Sequence, residues 1–233
     1  MNQSRLALLV EDEVAIPRVL RHPLSAAGFT LETAETLETG LAAAARLKPD
    51  IVLLDLGLGD RDGKDLIAAL RQWSDVPIIV ISARDEEDEK IAALDLGAND
   101  FVNKPFGIGE LLARMRAALR HRLVRSESQT TIRNGELLID LAARRVRVRN
   151  AIVHLAPREY DVLRLLAQHA GQVVTHRQLL DGAWGDSEVR DFQNVRVVIG
   201  QVRRKLEAHL GATPLILTEQ GVGYRMRTGE DDY

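Results

Sequence analysis

The stretch IVLLDLGL, residues 51–58, decides the fold. Four consecutive apolar residues run straight into the carboxylate of Asp55, and glycine follows two positions later. A short unbroken apolar run suits a strand covered on both faces, as in parallel sheets, rather than one with an alternating wet face. Outward from it, Leu6–Val10, Phe29–Thr33, Val76–Ser82 and Asp100–Asn103 read as further strands. The gaps carry helical periodicity, near Val14–Ala27, Leu37–Leu47, Lys64–Gln72, Glu86–Leu96 and Ile108–Arg122. Gly28 and Gly97 are placed to end the first and fourth of these helices. Five βα units in succession predict a five-stranded, doubly wound parallel sheet of the flavodoxin-like kind, with its chemistry beyond the carboxyl ends of the strands.

At those ends stand Glu11 and Asp12 after the first strand, Asp55 after the third, Ser82 at the end of the fourth and Lys104 after the fifth. Converging carboxylates repel unless a cation sits among them. An all-oxygen ligand set favours a hard ion such as Mg²⁺, which pairs with one or two carboxylates and phosphate oxygens. The set suits phosphoryl chemistry in which Asp55 is the nucleophile, Asp12 and Asp55 hold Mg²⁺, and Glu11 reaches the ion or its water. Ser82 and Lys104 would each hold one phosphoryl oxygen. Taken singly, Ser82 is an ordinary strand-end residue and Lys104 an ordinary surface charge. Their joint placement at matching strand ends carries the reading.

Cysteine is absent from the 233 residues, which removes disulfides, thiolate metal sites and cysteine nucleophiles and suits a reducing, cytoplasmic setting. The apolar runs are strand-length, well short of the ~20 residues a membrane helix requires, so no membrane partner is expected. Formal charge is −6 up to His121 and +3 from Arg122 onward. A basic second half can attract a polyanion through phosphate contacts, whereas an acidic first half cannot.

That second half opens with strand candidates at Glu136–Asp140, Arg145–Arg149 and Ile152–Leu155, then helices near Pro157–His169 and His176–Trp184. Phe192, Val195, Ile199, Val202 and Leu206 follow at spacings of 3, 4, 3 and 4, the signature of one buried helical stripe. The opposite face carries Gln193, Val197, Gln201 and Arg204. A terminal hairpin, Leu215–Thr218 and Tyr224–Arg227, turns at Gln220–Gly223. Thr175 and Gln178 predict a capping box for the second helix, while the first starts at Ala156-Pro157 with no side-chain cap and a weaker start.

The first half resembles the receiver family of two-component response regulators through LALLVEDE (6–13), IVLLDLGL (51–58), IIVISAR (78–84) and FVNKPF (101–106). The second resembles the winged-helix domain of the OmpR/PhoB subfamily through PREYDVLRLLAQHAGQVVTHRQLL (157–180), VRRKLE (202–207) and GVGYR (221–225). The resemblance implies a receiver domain at residues 5–122, a linker at 123–130 and an α+β winged-helix domain at 131–228. It implies phosphorylation of Asp55 by a sensor histidine kinase, a backbone carbonyl of Gly57 on Mg²⁺, and Ser82 with Phe101 as a switch pair.

The subfamily further implies a homodimer on activation, with pairs Lys90–Glu110, Asp95–Arg116 and Asp100–Arg114 setting register. Leu94, Leu111 and Ala113 would supply apolar contact. Promoter double-stranded DNA would be read at direct repeats. Gln201 would bond adenine and Val197 touch a thymine methyl, with Gln193 and Asn194 nearby. Arg196, Arg203 and Arg204 would take phosphates, Arg225 would be the DNA contact near the wing, and Gly200 would permit close backbone approach or tight packing. RNA polymerase is a further expected partner.

Two positions depart from the family pattern: Gly59, where many relatives have proline, and Asn99, where an acidic residue is common. The stretches LDLGL, WSDVPIIVISARDEEDEKIAALDLGA, KPFGIGELLARMRAALR and IGQVRRKLE look most like the regulator of a potassium-uptake system, which implies a potassium- or turgor-responsive kinase and potassium-transport genes. Two rival readings stand beside this one. An aspartyl-phosphate phosphatase commonly needs a second aspartate two residues after the nucleophile, where Gly57 stands. A constitutive DNA-binding regulator would use the receiver only to dimerise.

Overall fold

The computed structural model describes residues 4–59, 61–83, 87–126, 130–185, 191–210 and 214–228. The chain divides into two compact units, Met1–Arg122 and Leu123–Tyr233.

In the first unit the strands are β1 (Arg5–Val10), β2 (Phe29–Ala34), β3 (Ile51–Leu54), β4 (Ile78–Ser82) and β5 (Asp100–Asn103). The helices are α1 (Ala15–Ala26), α2 (Leu37–Leu47), α3 (Gly63–Arg71), α4 (Glu87–Asp95) and α5 (Ile108–Ser126). The sheet is parallel throughout, in the order β2-β1-β3-β4-β5. Starting at the centre and reversing direction places a switch point between β1 and β3, the crevice where open α/β sheets put their sites. All four residues of β3 and all five of β4 are buried, which explains their unbroken apolar runs. One face of the sheet packs Ala7, Leu9, Leu53, Ile79 and Ile81 against Leu20 and Leu24 of α1 and Leu111 and Met115 of α5.

Local signals set the boundaries. Thr36 caps α2 by accepting from Thr39 N at 3.2 Å, and Asp62 caps α3 by accepting from Lys64 N at 3.0 Å. Gly28 and Gly97 sit at φ 86° and 108° after α1 and α4, a left-handed region that side chains disfavour. The backbone of α5 continues through Ser126, so helix occupies Leu123–Ser126 of the stretch read as linker; Arg122–Ser126 contains no glycine or proline to stop it. Residues 127–129 lie outside the described ones.

The second unit opens with an antiparallel sheet of β6 (Thr131–Asn134), β7 (Leu137–Asp140), β8 (Arg145–Val148) and β9 (Ala151–Val153). Then come α6 (Pro157–Gln168), β10 (Val173–Thr175), α7 (His176–Trp184), α8 (Phe192–Leu210), β11 (Ile216–Glu219) and β12 (Gly223–Met226). The last strands form a sheet in the order β10-β12-β11, the wing of a winged helix. Sequence reading missed β6 and β10, which have four and three residues. Segments so short show no periodicity, and pairing with β7 and β12 is what makes them strands.

Thr175 and Gln178 form the expected capping box, with bonds of 3.1 and 3.0 Å. The start of α6 lacks a side-chain cap on its N-cap residue, as expected, but it is not left open. Glu159 reaches back to accept from Ala156 N at 2.6 Å, supplying the other half of a capping box. The α8 stripe needs correcting. Val195, Ile199, Val202 and Leu206 are buried, but Phe192 is 53% exposed, with its ring 5.6 Å from that of His176.

Candidate functional site

In β1 and β3, Val10 and Leu54 lie in register, so Glu11 and Asp55 leave neighbouring strands at the same height. Asp55 N donates to Val10 O at 3.0 Å, which fixes where the aspartate emerges. Glu11 and Asp55 are buried and Asp12 is exposed, and ligand oxygens of all three lie within 4.8 Å of one another. Three carboxylates at that separation, offering oxygen alone, fit a hard divalent ion such as Mg²⁺.

Lys104 closes the pocket from the end of β5. Its Nζ donates to Glu11 Oε2 and Asp55 Oδ2, both at 2.8 Å, and lies 3.7 Å from Glu13 Oε1. Lys104 N donates to Ser82 O at 2.8 Å, so β4 positions the lysine and the buried serine together. Burial raises the Glu11 pKa, and the Asp55 charge adds to the rise, while the Lys104 bond works against both. For Lys104 burial is the largest single influence and acts downward, but the bonds and charges of Asp55 and Glu11 together outweigh it and raise the ammonium pKa. The lysine therefore stays charged where two carboxylates depend on it. Glu13 was not singled out from sequence, although the run Glu11-Asp12-Glu13 was the signal for it.

The loop after Asp55 is held by its backbone. Gly57 N donates to Asp55 Oδ1 and Gly59 N to Asp12 Oδ2, each at 3.1 Å. A proline at Gly59 would lack that donor, so the family departure here gives Asp12 a partner. A Cβ on Gly63 would lie 2.8 Å from the Leu56 Cα, so only glycine lets α3 start against the chain leaving Asp55. Asn99 is also explained: its Oδ1 accepts from Ile78 N at 2.8 Å and Arg71 at 3.2 Å, tasks that require only an acceptor.

Around Phe101 the expectations need revision. Phe101 is half-buried, with Lys90 Nζ 5.2 Å from its ring centroid. Asp100 is fully buried rather than exposed, and takes Arg114 of its own chain at 2.9 Å. Arg114 also bonds Glu110, at 2.7 and 3.0 Å, one helical turn away. Leu94 and Leu111 are 1% and 0% exposed, so they are core residues and have no surface left for a second molecule. Sequence spacing alone does not distinguish a face that meets the sheet from one that meets solvent.

In the second unit Gln193, Arg196, Val197, Gly200, Gln201 and Arg204 are exposed on α8, and Asn194 is half-buried. Val197 is 59% exposed, unusual for valine, on the side opposite the buried stripe. A Cβ built on Gly200 meets nothing within 4 Å, so intrachain packing does not explain this glycine.

Two arginines read as DNA contacts bond within the chain. Arg203 donates to Ile216 O at 3.1 and 2.8 Å and to Thr218 Oγ1 at 2.8 Å, bracing α8 against β11. Arg225 is buried and donates to Glu219 Oε1 at 2.7 Å and Gly171 O at 2.6 Å. Both are structural in this conformation, since a guanidinium near the base of a hairpin can satisfy the carbonyls and carboxylate that the fold brings there.

Residues 7–116 match the response regulator receiver domain, and residues 149–226 match the C-terminal domain of transcriptional regulatory proteins. The KDP operon transcriptional regulatory protein KdpE of Escherichia coli is 48% identical over 218 residues, 94% of this chain and 97% of that protein. The transcriptional regulatory protein KdpE of Mycobacterium tuberculosis is 42% identical over 221 residues, 94% of this chain and 98% of that one. A solved structure of a RitR mutant is 27% identical, covers 97% of this chain and 100% of its own, and superposes with a TM-score of 0.50. Among the described residues no helix is long and apolar enough to cross a membrane.

Proposed function

The chain belongs to the two-component response regulators of the OmpR/PhoB type, and on that premise we propose that Asp55 is its phosphoacceptor and that phosphorylation there controls promoter binding. Supporting this most directly is the Asp55 carboxylate: buried, clustered with Glu11 and Asp12, and bonded to Lys104 at 2.8 Å. In the proposed transfer an Asp55 oxygen attacks the phosphorus of a phosphohistidine on the sensor kinase. The O–P bond forms as the P–N bond breaks, and the imidazole leaves with the electron pair. Glu11, Asp12 and Asp55, with the Gly57 carbonyl, would hold Mg²⁺, which neutralises charge on the phosphoryl oxygens when bound. Lys104 gives up its bond to Asp55 for a phosphoryl oxygen, and Ser82 takes another.

Ser82 with Phe101 is the proposed switch, passing the change to α4 and α5. Because Asp100, Leu94 and Leu111 are buried, the proposed homodimer rests on exposed or half-buried groups, namely Lys90, Asp95, Glu110, Arg114 and Arg116. Residues 5–122 serve as receiver and 131–228 as DNA-binding domain. The α8 face formed by Gln193, Arg196, Val197, Gly200, Gln201 and Arg204 enters the major groove of direct repeats. Likeness to the KdpE proteins supports a cytoplasmic regulator of potassium-transport genes under a sensor histidine kinase, with RNA polymerase as a further partner.

Intact-mass measurement with a small phosphodonor and Mg²⁺, followed by footprinting of promoter fragments, tests the reading. One phosphoryl group per chain and phosphate-dependent protection of paired repeats are expected, both lost in Asp55→Asn. Equal protection by the phosphorylated chain, the unphosphorylated chain and Asp55→Asn would move regulation away from Asp55.

A further inference from the structure

The outer face of the β6–β9 sheet carries charge that the DNA-binding reading does not use. Strand register places Arg133, Leu138, Arg147 and Ile152 in one row across all four strands. The core residues Leu137, Ile139, Val146, Val148 and Val153 point the other way. Arg133 and Arg147 are exposed, and among the described residues no hydrogen bond or ion pair engages either. Arg149 beside them is paired with Glu136. Ile152 is 48% exposed, and a depression of about 220 Å³ lies along the row, lined by Arg133, Leu138, Arg147 and the paired Arg149 and Glu136 among others.

Neighbouring strands lie about 4.8 Å apart, so the row alternates cation and aliphatic every ~5 Å, with the two arginines ~10 Å apart. An α-helix advances 1.5 Å per residue, which sets positions i and i+7 about 10.5 Å apart and puts i+3 or i+4 midway. A partner strand repeats its facing side chains every ~6.8 Å and does not match. Nucleic acid phosphates would satisfy the arginines but gain nothing from Leu138 and Ile152.

We propose that this sheet face docks an acidic amphipathic helix of a partner protein, laid across the strands with carboxylates at i and i+7 on Arg133 and Arg147 and aliphatic residues between and beyond them on Leu138 and Ile152. The arginines set register and orientation, and the aliphatic row supplies the desolvated contact. The site lies on strands rather than on α8, so partner and operator can be held together.

Fluorescence anisotropy of the full chain with a labelled helical peptide of about 15 residues tests this. The probe carries Glu at i and i+7 and Leu at i+3 and i+10. Saturable binding is expected, weakened at least tenfold by Arg133→Ala with Arg147→Ala, and equally by replacing both peptide glutamates with glutamine. Ile152→Ser should weaken it by a smaller factor. The double variant should unfold at the wild-type temperature and bind promoter DNA as the wild type does. Absence of peptide binding, or equal binding by the double variant, would overturn the proposal. So would loss of promoter affinity in the double variant, which would assign the face to nucleic acid.

Discussion

The phosphate pocket and the α8 face are both proposed sites of contact, but they are built oppositely. In the pocket Glu11 and Asp55 are buried and Lys104 is half-buried and bonded to both carboxylates, and each follows a strand whose register is set by neighbours. On α8 the proposed readers Gln193, Val197 and Gln201 are exposed, and their positions follow only from which side of the helix the core takes. A pocket group is thus tied to its neighbours energetically, whereas a helix-face group is nearly independent of the fold. Substitutions should therefore disturb structure and function together in the pocket and separate them on α8.

The largest effect is expected at Lys104. Lys104→Ala leaves Glu11 and Asp55 facing each other without their shared cation, and the phosphorylation rate should fall by about 10²-fold or more, read by intact mass against time. A wild-type rate would detach Lys104 from the chemistry, and chelation of Mg²⁺ should halt labelling of every variant. Next comes Arg225→Ala, which strands Glu219 and the Gly171 carbonyl. Denaturant unfolding of the second unit should show a loss of about 3 kcal/mol. A fully stable variant with weakened DNA binding would return Arg225 to the interface.

Gln201→Ala should show the reverse pattern, with unchanged unfolding and a loss of about 1–3 kcal/mol in operator affinity confined to one base position. Equal loss on every sequence would mean it contacts only phosphate. The smallest effect is expected at Gly200. With open space around the site, Gly200→Ala should stabilise α8 by about 0.5–1 kcal/mol in thermal unfolding while lowering DNA affinity. A gain without a binding loss would leave the glycine unexplained.

Sequence by itself determined the βα alternation, the strand order class and the five pocket residues. Buried strands need unbroken apolar runs, and a parallel sheet brings its carboxyl ends to one edge whatever the loops do. It also determined the Thr175–Gln178 cap and the buried stripe Val195-Ile199-Val202-Leu206, which depend on interactions within one helix or one turn. Tertiary structure alone decided that Leu94 of α4, Asp100 of β5 and Leu111 of α5 lie in the interior rather than at the surface. It also bonded Arg203 and Arg225 to groups at the wing, and it made strands of β6 and β10. Each of these rests on a partner distant in sequence: Asp100 on Arg114, Arg203 on Ile216, Arg225 on Gly171, and β10 on β12. Periodicity reports which residues share a face, but a long charged side chain goes to whichever acceptor the fold brings within reach.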